Sequence, residues 1–191
     1  MTQRKQNAFT LIELLVVLAL LSSLLLLAAP SFRDFYRSAQ LSSQTNTFIA
    51  ALHAAKNEAI KYDSYSYLVP RDGTNWSSGW SVFVDSNFDQ IFTKGVDIQV
   101  LDEEGLAETL AIAGTGTAAE TPAYISFNGS GYPRSKTNAP AGSTITLSVK
   151  GFSGDEAVKN TRYIVLALTG RIRSCKPSSA NDTNCKSSST E

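Results

Sequence analysis

Histidine occurs once in the 191 residues, at position 53, and cysteine twice, at 175 and 185. That scarcity excludes most side-chain chemistry. A Ser/His/Asp set would have to form around His53, and no convergent partners are visible. A metal cluster lacks ligands, because the stretch around the two cysteines has no histidine. The sequence therefore points to no enzyme activity, no catalytic residue, no metal and no cofactor. His53 is expected to be a plain structural or surface residue. An excess of charge is also missing, since Lys+Arg and Asp+Glu both total 17. Composition alone therefore makes no case for nucleic acid. Large apolar side chains are absent from Lys176 to Glu191 (KPSSANDTNCKSSSTE), which has the composition of a disordered tail.

The neutral total hides an uneven spread. Eight acids lie between Asp85 and Glu120 against the single Lys94, whereas Lys150–Glu191 carries seven Lys/Arg against four acids. One end of the folded part should be acidic and the other basic. The two cysteines enclose nine residues near the C-terminus. Two thiols so placed suggest a Cys175–Cys185 disulfide and an oxidising compartment.

What is present first is one long apolar run. Phe9–Ala29 (FTLIELLVVLALLSSLLLLAA) has a single ionisable residue, Glu13, with Arg4 and Lys5 before it and Pro30 after it. At a rise of about 1.5 Å, roughly 21 residues span about 30 Å, the thickness of a bilayer core. A cleaved secretory signal has a shorter apolar run. A carboxylate in hydrocarbon costs several kcal/mol unless it is paired. Glu13 therefore asks for a partner, and an α-amino group one helical turn away would serve. A cut between Ala8 and Phe9 creates that amine.

The segment Ala8-Phe9-Thr10-Leu11-Ile12-Glu13-Leu14 resembles the signal of type IV prepilins and type II secretion pseudopilins. It departs at Ala8, where the family usually has glycine. The resemblance implies cleavage by a prepilin peptidase between Ala8 and Phe9 and N-methylation of Phe9. It also implies that Glu13 pairs with the amino group of a neighbouring subunit's Phe9 during assembly. That contact would turn two buried charges into one neutralised pair. Pro30 lies where pilin helices commonly kink or locally melt.

Beyond Pro30 the pattern turns amphipathic. Leu41, Thr45, Phe48, Leu52, Ala55 and Ala59 follow steps of four and three, one helical face. Gln40, Gln44, Lys56 and Lys61 fall on the other. The helix should end near Lys61–Ser64 and pack its stripe on a sheet. From Tyr65 the period changes to that of strands, expected near Tyr65–Val69, Gly79–Asp85, Val96–Leu101, Tyr124–Asn128, Thr144–Val149 and Tyr163–Leu168. Asp102–Thr121 and Gly129–Gly142 read as loops or weak extra strands, and Gly114–Ala119 as a flexible turn.

Three stretches resemble the GspH/FimT group of minor pilins and pseudopilins. Trp76 to Asn87 resembles its W-x-x-G-W-x-V-F-x-D-x-N segment. Leu52 to Lys61 resembles its L-x-x-A-R-x-E-A-I-K helix, with Lys56 where arginine is usual. Tyr124-Ile-Ser-Phe127-Asn-Gly129 resembles its I-x-F-x-x-x-G strand. The resemblance implies an α+β, pilin-like fold, a long N-terminal helix on a small antiparallel β-sandwich. The expected organisation is a leader at 1–8, a transmembrane and filament-core helix at 9–30 and an amphipathic helix at 31–63. A β domain at 64–175 and a polar, disulfide-bearing tail at 176–191 follow. The implied location is the inner membrane, single-pass with the C-terminal domain in the periplasm, and then the filament or its tip.

Asp85, Asn87 and Asp89 form a D-x-N-x-D run. An EF-hand loop would continue with Gly and a Glu at its twelfth position, but Gln90 and Val96 stand there. A turn with Asx side chains bonded to backbone is the expectation. Near the C-terminus, Arg171 and Arg173 are two apart, so an extended backbone projects them to one side. Gly170 permits a tight turn or a close backbone approach. The Cys175–Cys185 disulfide would pin the segment and could bring Lys176 and Lys186 near. Gly170-Arg171-Ile172-Arg173 resembles the G-R-x-R motif of FimT-like minor pilins, which implies weak, sequence-independent contact with double-stranded DNA in natural transformation. Implied protein partners are other minor and major pilins and a prepilin peptidase. A GspH-like pseudopilin of a type II secretion system is the alternative.

Overall fold

The fold is described from a computed structural model covering residues 10–179, 182 and 185; side chains at 26–31 and 34 are outside the described set. The elements in chain order are α1 (Leu11–Tyr62), β1 (Tyr65–Pro70), β2 (Trp80–Asp85), β3 (Ile98–Glu103), β4 (Leu110–Gly114) and β5 (Ile125–Phe127). Then come β6 (Pro133–Arg134), β7 (Ser143–Val149), α2 (Gly154–Lys159), β8 (Thr161–Leu166) and β9 (Ile172–Cys175). The chain divides into two compact units, Met1–Ser38 and Ala39–Glu191.

In the first unit, Thr10 caps α1. Its Oγ1 accepts the Glu13 N–H at 3.3 Å, which satisfies one of the unpaired donors of the first turn. Glu13 thus stands where the partial positive charge of the helix start favours a carboxylate. Every residue from Leu11 to Leu25 is exposed. A helix that is apolar all round needs an apolar cover on every side. Among the described residues no helix is long and apolar enough to cross a membrane. The expected span, Phe9–Ala29, is not wholly within them, since Phe9 lies outside. α1 continues through Pro30 as helix, without the local melting the resemblance implied.

In the second unit, α1 runs on to Tyr62, within one turn of the expected end. The stripe is as expected: Leu41, Phe48, Leu52, Ala55 and Ala59 are fully buried and Thr45 nearly so. Thr45 satisfies its hydroxyl by donating to the Leu41 carbonyl at 2.7 Å. His53, off the stripe, is exposed.

The stripe packs on two antiparallel sheets, ordered β3-β2-β1-β5-β6 and β4-β7-β8-β9. β7 shows why the second sheet has one core face. Ser143, Ile145, Leu147 and Val149 are buried and alternate with half-buried residues, the period-two pattern of a strand with one face inward. From the first sheet Leu68, Trp80, Val82, Ile125 and Phe127 enter the same core. The other face of that sheet carries a separate aromatic cluster, Tyr67, Phe83 and Tyr124. Phe92 closes on it, its ring 5.5 Å from that of Phe83. Burial, with the Asp85 carboxylate second, holds the Tyr67 hydroxyl's pKa well above the ordinary tyrosine value.

All six expected strands are strands, with shifted ends. β4 and β6 fall in the stretches that read as loops or weak extra strands, β9 falls in the C-terminal segment read as extended, and α2 has no counterpart among the expected elements. Residues 114–119 do not form a flexible turn. Gly116–Ala119 is a 3-10 turn with Thr117 and Ala118 buried, and the Ala118 carbonyl accepts the Trp76 indole N–H at 2.8 Å. The D-x-N-x-D run is the expected Asx turn. Asp85 Oδ2 accepts the Gln90 N–H at 2.9 Å, and Asp89 Oδ1 accepts the Ile91 N–H at 2.9 Å. Asn87 Nδ2 donates to Asp89 Oδ2 at 2.7 Å.

Candidate functional site

The arginine motif forms the turn between β8 and β9. The Gly170 N–H donates to the Ala167 carbonyl at 2.9 Å, and the Ala167 N–H to the Arg171 carbonyl at 3.0 Å. Such a tight reversal needs a residue that tolerates positive φ, and Gly170 has φ 77°. Gly170 also allows a close approach: a Cβ there would lie 2.5 Å from the Gly131 carbonyl oxygen. Both expectations for this glycine are met in one residue.

β9 then pairs antiparallel with β8, Arg173 opposite Val165 and Cys175 opposite Tyr163. Ile172 packs against the main core. By strand alternation its neighbours face the opposite side. Arg171 is exposed and Arg173 half-buried. The disulfide between Cys175 and Cys185 closes directly after β9, with a Cα–Cα distance of 5.7 Å.

The strand does not bring Lys176 to the arginine turn. Lys176 follows the far end of β9, five residues from Arg171, and a strand advances about 3.3 Å per residue, so about 16 Å separates them. Lys186, Ala8 and Phe9 lie outside the described residues. Glu13 sits in the first turn of α1, exposed.

One residue next to the turn escaped the sequence reading. By its position in the sequence pattern Lys56 reads as a solvent-face residue of α1. It is half-buried instead, and its Nζ donates to the Gly170 carbonyl at 2.9 Å. Helical spacing is nevertheless informative here, because Lys56 flanks the buried Ala55 and Ala59 on the stripe's edge. Among the described residues no cluster of three or more His, Cys, Asp or Glu is arranged to hold a metal.

A long N-terminal helix whose second half packs on two antiparallel sheets is the architecture of the pilin-like class. The fold is similar to that of the type IV minor pilin FimU of Pseudomonas aeruginosa. That match has a TM-score of 0.54 and 18% identity, and covers 73% of this chain and 90% of FimU. It is also similar to the minor pseudopilin EpsH from the type II secretion system of Vibrio cholerae, with a TM-score of 0.52 and 13% identity over 75% and 99% of the two chains. No curated protein sequence matches significantly. The prokaryotic N-terminal methylation motif matches residues 3–29. The family model of the type II transport protein GspH matches residues 44–170. The chain belongs to that family of minor pilins and pseudopilins, which are structural filament subunits and not enzymes. The family match ends at Gly170, so Arg171, Arg173 and the disulfide lie beyond it.

Proposed function

We propose that this chain is a minor pilin of a type IV pilus that serves pilus assembly or its initiation. Its arginine turn binds double-stranded DNA weakly and without sequence preference, for natural transformation. The observation that carries the DNA reading is the β8–β9 turn. Arg171 is exposed on a glycine turn, and Arg173 follows two residues on in a strand that ends at a disulfide. A guanidinium fork suits bidentate contact with phosphate. Two such contacts leave binding weak and salt-sensitive. With a slope of about −0.9 per phosphate, raising salt from about 50 to 200 mM should weaken it about tenfold.

The test is a low-salt gel shift with the full chain in detergent. Wild type should retard duplexes of unrelated sequence alike, and Arg171→Ala with Arg173→Ala should abolish the retarded band. No retardation by wild type sinks DNA binding and leaves the assembly role. The second reading, a minor pseudopilin of a type II secretion system, is favoured by the GspH match over residues 44–170. Absence of DNA binding would favour it further.

At the other end, a prepilin peptidase removes residues 1–8, and Phe9 becomes the methylated N-terminus. Residues 9–30 anchor the subunit in the inner membrane and then enter the filament core. Residues 31–63 continue the helix, and the 64–175 β domain and 176–191 tail face the periplasm. Glu13 pairs with the amino group of a neighbouring pilin's Phe9. The methylation motif over residues 3–29 supports this reading, as does the apolar surface of the described helix. Glu13→Ala should leave the subunit in the membrane and remove it from sheared pili. Wild-type amounts in pili would contradict the pairing.

A further inference from the structure

Lys56, Gly131 and Gly170 come from three distant parts of the chain and meet at one point. The Lys56 ammonium donates to the Gly170 carbonyl at 2.9 Å across 114 residues of sequence. Gly131 and Gly170 both have φ 77°. A Cβ at Gly170 would lie 2.5 Å from the Gly131 carbonyl oxygen and 3.3 Å from Lys56 Nζ. A Cβ at Gly131 would lie 2.8 Å from Ile60 Cδ1 and 3.1 Å from Lys56 Cε. One face of α1 and two glycine turns therefore close around a single side chain, and at Gly170 the Gly131 backbone leaves no room for an added methyl. Half-burying an ammonium costs free energy unless it is hydrogen-bonded. Here the acceptor is the carbonyl immediately before Arg171. Among the described residues no carboxylate pairs with Lys56, so the Gly170 carbonyl is the acceptor that holds its ammonium.

We propose that Lys56 is the positioning residue of the arginine turn. Its ammonium holds the Gly170 peptide, so that Arg171 meets a phosphate without first losing conformational freedom. This rests on the DNA reading of Arg171 and Arg173. Lys56 acts through Gly170 and does not itself touch the phosphate.

The test uses the full chain in detergent with Lys56→Met, which keeps the aliphatic stem and removes the ammonium, and Lys56→Arg, which restores a cationic donor. Two readouts are taken. Amide hydrogen exchange at residues 168–171 should speed up severalfold in Lys56→Met, while exchange in β1 and β2 stays as in wild type, which also shows that the variant folds. Duplex DNA affinity should fall about fivefold in Lys56→Met, the size of one pre-ordered side chain. The slope of log affinity on log salt should be unchanged, and Lys56→Arg should recover both readouts. A slope shallower by about 0.9 would mean that Lys56 contacts phosphate directly, and the positioning role would fall. Unchanged exchange at 168–171 would overturn it too, as would failure of Lys56→Arg to restore either readout. If wild type retards no DNA, the reading of Arg171 and Arg173 fails instead, and the exchange result alone decides whether Lys56 holds the turn.

Discussion

Phe48→Ala should lower the unfolding free energy by about 3–5 kcal/mol. Phe48 is fully buried at the centre of the α1 stripe. Its ring meets Trp76 edge-on at 5.5 Å and Trp80 at 4.9 Å, with interplanar angles of 72° and 68°. Edge-to-face pairs add about 0.5–1.5 kcal/mol beyond burial. Alanine is the better helix former, by roughly half a kcal/mol. That gain is several times smaller than the loss of transfer and packing, so destabilisation wins. Phe48 also ties α1 to both ends of the W-x-x-G-W segment. The change should therefore loosen both tryptophans. Urea unfolding followed by tryptophan fluorescence should show a lower midpoint with little change in slope. A loss under about 1 kcal/mol would mean that the site collapses around the gap, contrary to close packing.

The second large effect is expected at Gly79, inside the same segment. Its backbone, φ 97° and ψ −179°, lies in a region essentially reserved for glycine. A Cβ there would run into backbone atoms of Glu103, Glu104 and Gly105. Backbone cannot swing aside as a flexible side chain can, so the 103–105 segment would have to leave the place where Glu103 pairs with Trp80. Gly79→Ala should cost at least about 3 kcal/mol and reduce accumulation of folded protein. Gly73 supplies the control. It also has positive φ, 82°, but a Cβ there would meet nothing within 4 Å. Gly73→Ala should cost only about 1–2 kcal/mol, the left-handed penalty alone. The difference in unfolding midpoints measures the clash together with the costlier backbone conformation at Gly79. Equal losses at the two sites would show that backbone conformation, and not the approach of the 103–105 segment, requires glycine at 79.

These two predictions give physical meaning to the motif that carried the family resemblance. Trp76 and Trp80 are core residues, Gly79 permits a close backbone approach, Phe83 joins the outer aromatic cluster, and Asp85 closes a turn. Each answers to folding. The motif thus reports the architecture, and the function has to be sought elsewhere on it.

Much of that architecture was legible in order of residues. The 3.6-residue period of Leu41 to Ala59 is local, and burial follows it at all six positions. Strand-forming runs are local as well, so six strands fall where expected. The cysteine pair was readable because the two thiols are close in sequence. Thr10 is a local signal too: its hydroxyl accepts the backbone N–H of residue 13 and caps α1 whatever side chain stands there.

What the residues in order determined was the set of elements: an apolar helix start with one acid, an amphipathic continuation, short strands and a basic end. Periodicity and turn chemistry act over a few residues, so the chain states them directly. The tertiary structure alone decided which elements meet. β4 and β9 become strands by pairing with β7 and β8, and that depends on partners tens of residues away or across a turn. Lys56 reads as a solvent-face lysine until two distant glycine turns close on it. A hydrogen bond spanning 114 residues leaves no periodic trace, because its donor and acceptor are joined only when the helix and sheets pack.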